Sequence, residues 1–251
     1  DQSVQSGQAP RDMDVIVSPV NANIIHVAGV ETWRSNDLGL NWTKTTRWNA
    51  PGASDFIHAD IDLLIYDGNR IVAGTDGGIF YSTDEANNWT DISAGLAIRQ
   101  FYRIGASETD ADIFYGVSQY NGKGTLVSGT WRDWLGADGM ETFIDWNNAN
   151  IIYGTSQNGT FYKSIDGGNS RTSISNSPPN GNWVTPFEQD PVNPSTIYAA
   201  VNQVYKSTNG GGSWSTISNF SSGNADEMKI SPVDPNYIYV SYGATLYTTT
   251  N

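Results

Sequence analysis

Short runs of residues that alternate between apolar and polar side chains recur along the whole chain and predict β-strands. A clear example covers residues 183–188, 196–201, 204–208 and 214–218. These runs are rich in Val, Ile, Tyr and Thr, and Pro, Gly, Asn and Asp separate them, which is typical of strands joined by turns. No segment keeps the 3.6-residue period of an amphipathic helix over three turns. The pattern therefore predicts an all-β protein.

A polar box recurs after the third strand of most units. Each copy begins with Ser, has Asp or Asn two residues later, and ends with Trp or, once, Arg. The copies are residues 35–42, 82–89, 164–171 and 207–214. Their serines are 47, 82 and 43 residues apart, so one unit between the second and third copies lacks the box. Residues 246–251 match residues 204–209 at a shift of 42, and this period is the length of a four-stranded propeller blade.

The predicted fold is therefore a β-propeller of four-stranded antiparallel blades, with about six units in a single domain, or part of one, over residues 1–251. The last unit should stop after its third strand. Because an open sheet edge favours aggregation, we expect closure of some kind. Either Ser3–Ser6 supplies the missing strand and closes a six-bladed ring, or the chain is a piece of a larger propeller. The units are predicted to start near Asp12, Phe56, Gln100, Glu141, Trp183 and Asp226.

The boxes resemble the Asp-box, or bacterial neuraminidase repeat, of sialidases, sortilin-type receptors and xyloglucanase-type glycoside hydrolases. In such a turn, Ser and Asp oxygens accept backbone N–H groups, Gly supplies positive φ, and Trp packs between strands. The resemblance implies that the box residues are structural. They are Ser35, Asp37, Trp42, Ser82, Asp84, Trp89, Ser164, Asp166, Ser207 and Trp214, and Asn209 takes the Asp position in the last box.

Composition and charge exclude several classes of function. The chain has 13 basic and 26 acidic residues, a net charge of −13, and lacks the basic stripe that nucleic acids require. It has no run of about 18 apolar residues for a membrane helix, and no Cys for disulfides, thiolate catalysis or zinc. Since a charged fraction of 16% is common in secreted β-proteins, we expect a secreted or cell-surface protein. The start at Asp1 suggests a processed product or a fragment, with room for further domains in a longer parent.

The richest candidate site lies in residues 56–66. Strand alternation places His58, Asp60 and Asp62 on one face, with Phe56 and Leu64. Two carboxylates and an imidazole are costly to bury without partners, so this face should meet water, a cation or a ligand. Asp60 and Asp62 are candidate ligands for Ca²⁺, although no cofactor is required. The alternatives are a hydrated channel wall and pairing with a basic residue of the next unit.

Three later turns extend this candidate site. Together with residues 58–60, the segments 74–78, 119–122 and 136–139 resemble a secreted propeller family that reads His-Ala-Asp, Thr-Asp-Gly-Gly, Gln-Asp-Asn-Gly and Gly-Gly-Asp-Gly. The chain departs from that pattern at residue 120, where Tyr replaces Asp, and at Ala137. We expect Trp134, in a group with Trp131 and Trp146, to offer an exposed ring for a sugar or a protein. The predicted ligand-binding residues are His58, Asp60, Asp62, Tyr120, Asn121, Trp134 and Asp138.

The predicted function is a non-catalytic module that binds a glycan or a protein. Xyloglucanase-type enzymes use two Asp carboxylates across a cleft between two propellers. The turn around Asp76 resembles the one that carries their base, and Asp138 is the candidate for the acid, but one propeller lacks the second wall. Sialidase chemistry needs an arginine cluster that is absent from this sequence. The alternatives are a fragment of a xyloglucanase-like hydrolase and a structural repeat module of a large adhesin.

Overall fold

The computed structural model describes residues 12–96, 101–119, 122–219 and 223–250, and it is built from short antiparallel strands. The chain divides into two compact units, Asp1–Ile98 and Arg99–Asn251. In the first unit, one sheet contains β1 (Asp14–Val17), β2 (Ile25–Ala28), β3 (Thr32–Ser35) and β4 (Thr43–Lys44); the other contains β5 (Ile61–Asp67), β6 (Arg70–Thr75), β7 (Gly78–Ser82) and β8 (Thr90–Asp91).

The second unit contains four sheets. They are β9 (Phe101–Ala106), β10 (Ile113–Ser118), β11 (Gly122–Val127) and β12 (Thr130–Leu135); β13 (Gly139–Ile144), β14 (Ile152–Ser156), β15 (Thr160–Ser164) and β16 (Thr172–Ser173); β17 (Phe187–Gln189), β18 (Ile197–Ala200), β19 (Val204–Ser207) and β20 (Ser215–Thr216); and β21 (Glu227–Ile230), β22 (Tyr237–Tyr242) and β23 (Thr245–Thr250).

Every sheet is an antiparallel meander in which sequential strands are spatial neighbours. Within each unit the first strands of successive sheets lie beside one another: β1 beside β5, and β9, β13, β17 and β21 in series. This is how propeller blades are arranged. The six sheets confirm the predicted all-β class of antiparallel blades, including a last sheet with three strands among the described residues.

The four boxes form the same turn. In the first, the Ser35 hydroxyl donates to Asp37 Oδ1 (2.8 Å) and accepts the Gly39 N–H (2.8 Å), while the Asn41 N–H donates to Asp37 Oδ1 (2.8 Å). The corresponding bonds of the other boxes measure 2.8 to 3.0 Å. Ser and Asp thus satisfy backbone N–H groups that a tight turn leaves without strand partners.

A second repeated contact was not predicted from the sequence. Four residues beyond the end of each box, a hydroxyl accepts a backbone N–H from the start of the third strand or its flank, as between Ser175 Oγ and Phe161 (2.7 Å) or Ser218 Oγ and Val204 (2.7 Å). Thr46 and Ser93 do the same in the first unit. The hydroxyl position is visible in the sequence once the boxes are aligned, so the repeated motif is longer than the box.

The sequence predicts that every box tryptophan packs between strands, but the structure shows that the tryptophans differ in burial. Trp89 is buried in the core of the first unit, and Trp214 packs beside Phe161 and Phe187 in the second. Trp42, by contrast, is 39% exposed, and its Nε1–H donates to Gly39 O within its own turn (3.0 Å). The prediction that the box Trp packs between strands as an apolar plug is therefore wrong for Trp42.

The predicted strand face over residues 56–66 is wrong. Strand β5 begins only at Ile61, Asp60 has a positive φ of 62°, and the pairing with β6 shifts register between Ile61 and Leu63. As a result Ile61 and Leu64 are buried, whereas Leu63 is 47% exposed, although the alternation assigned Leu63 to the apolar face. A bulge adds one residue and reverses which side chains point inward beyond it.

Candidate ligand-binding site

Connections between strands lie at the two ends of the strands, because neighbouring strands run in opposite directions. We treat these two ends as two opposite edges of each sheet. We call the edge that carries the third-to-fourth strand boxes the box edge. The opposite edge, the link edge, carries the second-to-third strand turns and the links from each fourth strand to the next sheet. In the first unit, Asp12, the link over residues 45–60 and the turn over residues 75–78 lie on the link edge. The predicted site therefore lies opposite the boxes.

Backbone hydrogen bonds hold the carboxylates of this edge in place. The Ile61 N–H donates to Gly29 O in the neighbouring sheet (2.9 Å), and the Asp76 N–H donates to Asp60 O (3.1 Å). These contacts bring together Asp60, Asp62 and Asp76, as the sequence pattern proposed, although not through strand alternation. Asp60 is 5% exposed and Asp62 is exposed.

Asp12 lies with these three aspartates, and it was not predicted as a site residue. It is 5% exposed. Burial, a hydrogen bond between its carboxyl group and that of Asp62, and the charges of Asp60, Asp62 and Asp76 together raise the pKa of Asp12 to about 6. We refer to Asp12, Asp60, Asp62 and Asp76 as the carboxylate cluster. No sequence signal marks Asp12, because it lies 48 residues from Asp60 and precedes a different sheet.

His58, on the link over residues 45–60, packs its ring against the turn that carries Asp76. Its Nδ1 is 3.1 Å from Ala59 O. Its ring covers Gly77 so closely that a β-carbon there would be 2.1 Å from His58 Cγ. Gly77 therefore allows the imidazole to approach the backbone, a role for glycine at close contacts. The His-Ala-Asp and Thr-Asp-Gly-Gly segments meet in one place.

An exposed aromatic ring lies on the link that leads to the cluster. Arg47 pairs with Asp55 (2.6 Å), and the Arg47 N–H donates to Asp55 O (3.0 Å), which closes the loop between them. Trp48, inside that loop, is 50% exposed. Nothing in the sequence marks Trp48, because a single Trp in a loop carries no pattern.

The predicted site residues of the second unit behave differently. Tyr120 and Asn121 lie outside the described residues. Trp134 is only 6% exposed, and its ring packs edge-on against Tyr115 at 6.4 Å. The prediction of an exposed stacking ring at Trp134 is therefore wrong: it is a core residue, since β12 turns this side chain inward. Asp138 is half-buried and lies close enough to Lys123 to influence its pKa.

The basic residues of the next unit that could pair with the carboxylates are Arg99, Arg103 and Lys123. Arg99 lies outside the described residues, and the other two have contacts of their own. Arg103 Nε pairs with Glu141 (3.0 Å), and burial raises the pKa of Glu141 to about 7 despite that pair. Lys123 is fully buried and lies over the ring of Tyr162 (5.7 Å). Burial, followed by the charge of Arg171, lowers the pKa of Lys123 to about 7.

Within the described ranges, no group of three or more His, Asp or Glu side chains is placed to hold a metal ion. In the same part of the chain, no helix combines the length and apolar character that crossing a bilayer demands.

Comparison with known proteins gives remote structural similarity alone. No family model matches the chain, and no curated protein matches it. The chain is similar to an ancestral GH74 enzyme (17% identity, 90% of this chain, 34% of that chain, TM-score 0.47). It is also similar to YCF48 from Cyanidioschyzon merolae (14%, 92% and 94%, TM-score 0.42) and to the GH74 enzyme of Niastella koreensis (15%, 93% and 56%, TM-score 0.28). The chain thus spans about a third of the first protein and just over half of the third.

Proposed function

We propose that this chain is a binding module whose ligand is a protein segment that carries Lys or Arg side chains, and that the carboxylate cluster is the binding site. The observation that carries the proposal is that Asp12 and Asp60, each 5% exposed, lie beside Asp62 and Asp76. Burial beside three other carboxyl groups raises the pKa of Asp12. A cationic side chain placed there would favour the ionised form of all four. The net charge of −13 adds long-range attraction for such a partner.

Hydrolysis is a weaker interpretation of the same geometry. The carboxyl groups of Asp12 and Asp62 share a hydrogen bond. Glycosidases hold their two carboxyl groups about 5 to 9.5 Å apart, so that a sugar or a water fits between them. This pair therefore does not suit glycoside cleavage. For the candidates Asp76 and Asp138, a single propeller lacks the second wall of the cleft, so we expect no release of reducing sugar from xyloglucan. Loss of such release in Asp76→Asn would favour the hydrolase alternative.

A glycan is the second candidate ligand, and the exposed ring of Trp48 on the link over residues 45–60 favours it. Aromatic faces stack on sugars, and carboxylates accept hydrogen bonds from sugar hydroxyls. The proposal also retains a secreted or cell-surface location and the Asp-box resemblance. The hydrogen bond from Ser to Asp in three boxes, and from Ser to Asn209 in the fourth, supports that resemblance.

Calorimetric titration of the whole chain with a Lys-Gly repeat peptide and, separately, with a xyloglucan oligosaccharide tests the proposal. We expect the peptide to bind, to weaken as salt rises, and to release protons near pH 6 as Asp12 ionises. Asp62→Asn should weaken the peptide about tenfold, the scale of one charged hydrogen bond.

Asp67→Asn is the matched control, because it removes the same charge from the exposed box edge of β5. Equal weakening by both variants would show that net charge alone attracts the peptide and would contradict the proposal. Salt-independent binding of the oligosaccharide that is lost in Trp48→Ala would favour the glycan instead.

A further inference from the structure

A polar cavity of about 410 Å³ lies in the second unit, at the box edge between the sheets β13–β16 and β17–β20. This volume is within the range of small-molecule pockets, about 300 to 1,000 Å³. Tyr153 and Gly210 are buried at its floor, and Lys163 is half-buried there. The rim consists of exposed amide and hydroxyl side chains, those of Asn147, Asn148, Ser195 and Thr208.

The acidic side chain of the cavity is already bound within the protein. Among the described residues that line the cavity, the charged side chains are Lys163 and Asp145. Asp145 is 4% exposed. Its carboxylate accepts hydrogen bonds at 2.9 to 3.0 Å from the Asn147 N–H, the Asn148 N–H and the Gln189 side-chain amide. These donors hold its charge in the turn between β13 and β14.

Lys163 has weaker partners. Its Nζ donates to Gly210 O at 3.4 Å and lies 5.3 Å from the centre of the Tyr153 ring. Burial lowers the pKa of Lys163, although the charge of Asp145 opposes this shift. The ammonium group has therefore lost water without gaining a strong acceptor, and an anion in the cavity would supply one.

The first unit contains an equivalent pair of side chains. His26 and Arg34 lie opposite each other on β2 and β3, as Tyr153 and Lys163 do on β14 and β15. Arg34 and Lys163 each directly precede the serine that opens a box. Each also donates to the backbone oxygen of the fourth residue of the next box, at 2.7 Å and 3.4 Å respectively. The two interfaces between sheets can therefore be compared residue by residue.

The fourth box residue differs between the two interfaces. In the first unit it is Glu85, whose Oε2 lies 3.0 Å from His26 Nε2. In the second unit it is Gly210, and both residues have a positive φ, of 57° and 65°. A β-carbon at Gly210 would be 2.5 Å from Lys163 Nζ and 3.0 Å from the Tyr153 hydroxyl oxygen. The second unit thus keeps the cation and the ring but lacks the carboxylate that the first unit supplies from its own chain.

We propose that this cavity binds a sugar acid, with the carboxylate of the sugar against Lys163 and its hydroxyl groups on the amide and hydroxyl rim. The carboxylate takes the part that Glu85 has in the first unit. The rim favours a sugar over an acidic peptide, because amide and hydroxyl groups both donate and accept hydrogen bonds, as sugar hydroxyls do. The site lies within the second unit and depends neither on the carboxylate cluster nor on the function proposed above.

The test is an NMR titration of the labelled whole chain with D-glucuronate, followed by D-glucose and by acetate. We expect saturable binding of D-glucuronate with a Kd on the order of 1 mM. D-glucose has the same ring with a neutral group in place of the carboxylate, and it should bind at least about tenfold more weakly, the scale of one charged hydrogen bond. Acetate, which lacks the ring, should be weakened similarly.

On the protein side, Lys163→Met should reduce the affinity for D-glucuronate to that for D-glucose. Lys206→Met is the matched control, because Lys206 holds the same strand position one sheet later and lies 5.3 Å from the ring of Tyr198, outside this cavity. Gly210→Glu copies the first unit and should prevent binding, since its own carboxylate would occupy the site. Circular dichroism of each variant checks that the sheets remain folded.

Four results would overturn the proposal. The first is the absence of D-glucuronate binding at concentrations up to about 10 mM. Equal affinity for acetate and D-glucuronate would show an adventitious ion only. Equal weakening by Lys163→Met and Lys206→Met would show that net charge attracts the anion. Tighter binding of the peptide Gly-Asp-Gly than of D-glucuronate would assign the cavity to acidic protein segments.

Discussion

The two edges of the first sheet place aspartate in opposite environments. On the box edge, hydrogen bonds from the Asn41 side chain, the Asn41 N–H and the Ser35 hydroxyl lower the pKa of Asp37. On the link edge, burial and neighbouring carboxyl groups raise the pKa of Asp12 to about 6. Hydrogen-bond donors lower the pKa of one carboxyl group, and burial beside other carboxyl groups raises the pKa of the other.

This difference separates structure from candidate function. A carboxylate that accepts backbone N–H groups stabilises its turn, and the same arrangement recurs in all four boxes with Asn in one of them. Carboxylates that face each other lower the free energy of unfolding at neutral pH, and such arrangements are enriched at functional sites. Three predictions test this separation.

The largest effect should come from the box edge. Trp214→Ala removes an indole that packs between two sheets and donates to Ile174 O, and we expect it to lower the free energy of unfolding by about 3 kcal/mol. Chemical denaturation monitored by circular dichroism measures this change.

Trp42→Ala is the matched control, because that ring is 39% exposed and donates only within its own turn. It should cost less than about 1 kcal/mol. Equal losses in the two variants would mean that the turn, and not packing between sheets, accounts for the stabilisation by the box.

The second prediction concerns Asp12, whose replacement should stabilise the fold instead of destabilising it. Because its folded pKa of about 6 is above the ordinary value of 3.8, Asp12 favours the folded state when it is protonated, at pH values below 3.8. That contribution is lost as the pH rises through about 6. Asn stays neutral, so Asp12→Asn should raise the melting temperature at about pH 8 and have less effect at about pH 4.

Thermal unfolding over a pH series measures the effect, and Asp67→Asn on the box edge of β5 serves as the control for the change in net charge. A melting temperature that falls at alkaline pH in Asp12→Asn would indicate that the ionised cluster stabilises the fold.

The smallest effect concerns Asp166 and disappears in acid. Hydrogen bonds from the Ser170 hydroxyl, the Ser170 N–H and the Ser164 hydroxyl lower the pKa of Asp166 to about 2. Its stabilisation is therefore present above the ordinary value of 3.8 and is lost as the pH falls towards 2. Asp166→Asn should be slightly less stable at neutral pH and should converge with the unmodified chain in acid.

Acid unfolding of both proteins measures this convergence. Asn209, whose Oδ1 accepts the Ser213 N–H at 2.9 Å, shows that an amide fits the turn. A constant difference between the two proteins at all pH values would assign the effect to geometry instead of charge.

The sequence alone determined the number and type of the sheets. Strand-length runs, a 42-residue period and four boxes led to six antiparallel meanders, since turn chemistry and alternation are local properties that short segments carry themselves. It also brought His58, Asp60, Asp62 and Asp76 into one hypothesis, because these residues lie in recognisable motifs of one sheet.

Only the tertiary structure decided how these side chains are presented. The bulge after Ile61 reverses the predicted faces of β5. Trp134 is buried instead of exposed, and Asp12, which precedes the neighbouring sheet, belongs to the carboxylate cluster. Each outcome depends on contacts between strands that are distant in sequence, and periodicity within one segment carries no information about them.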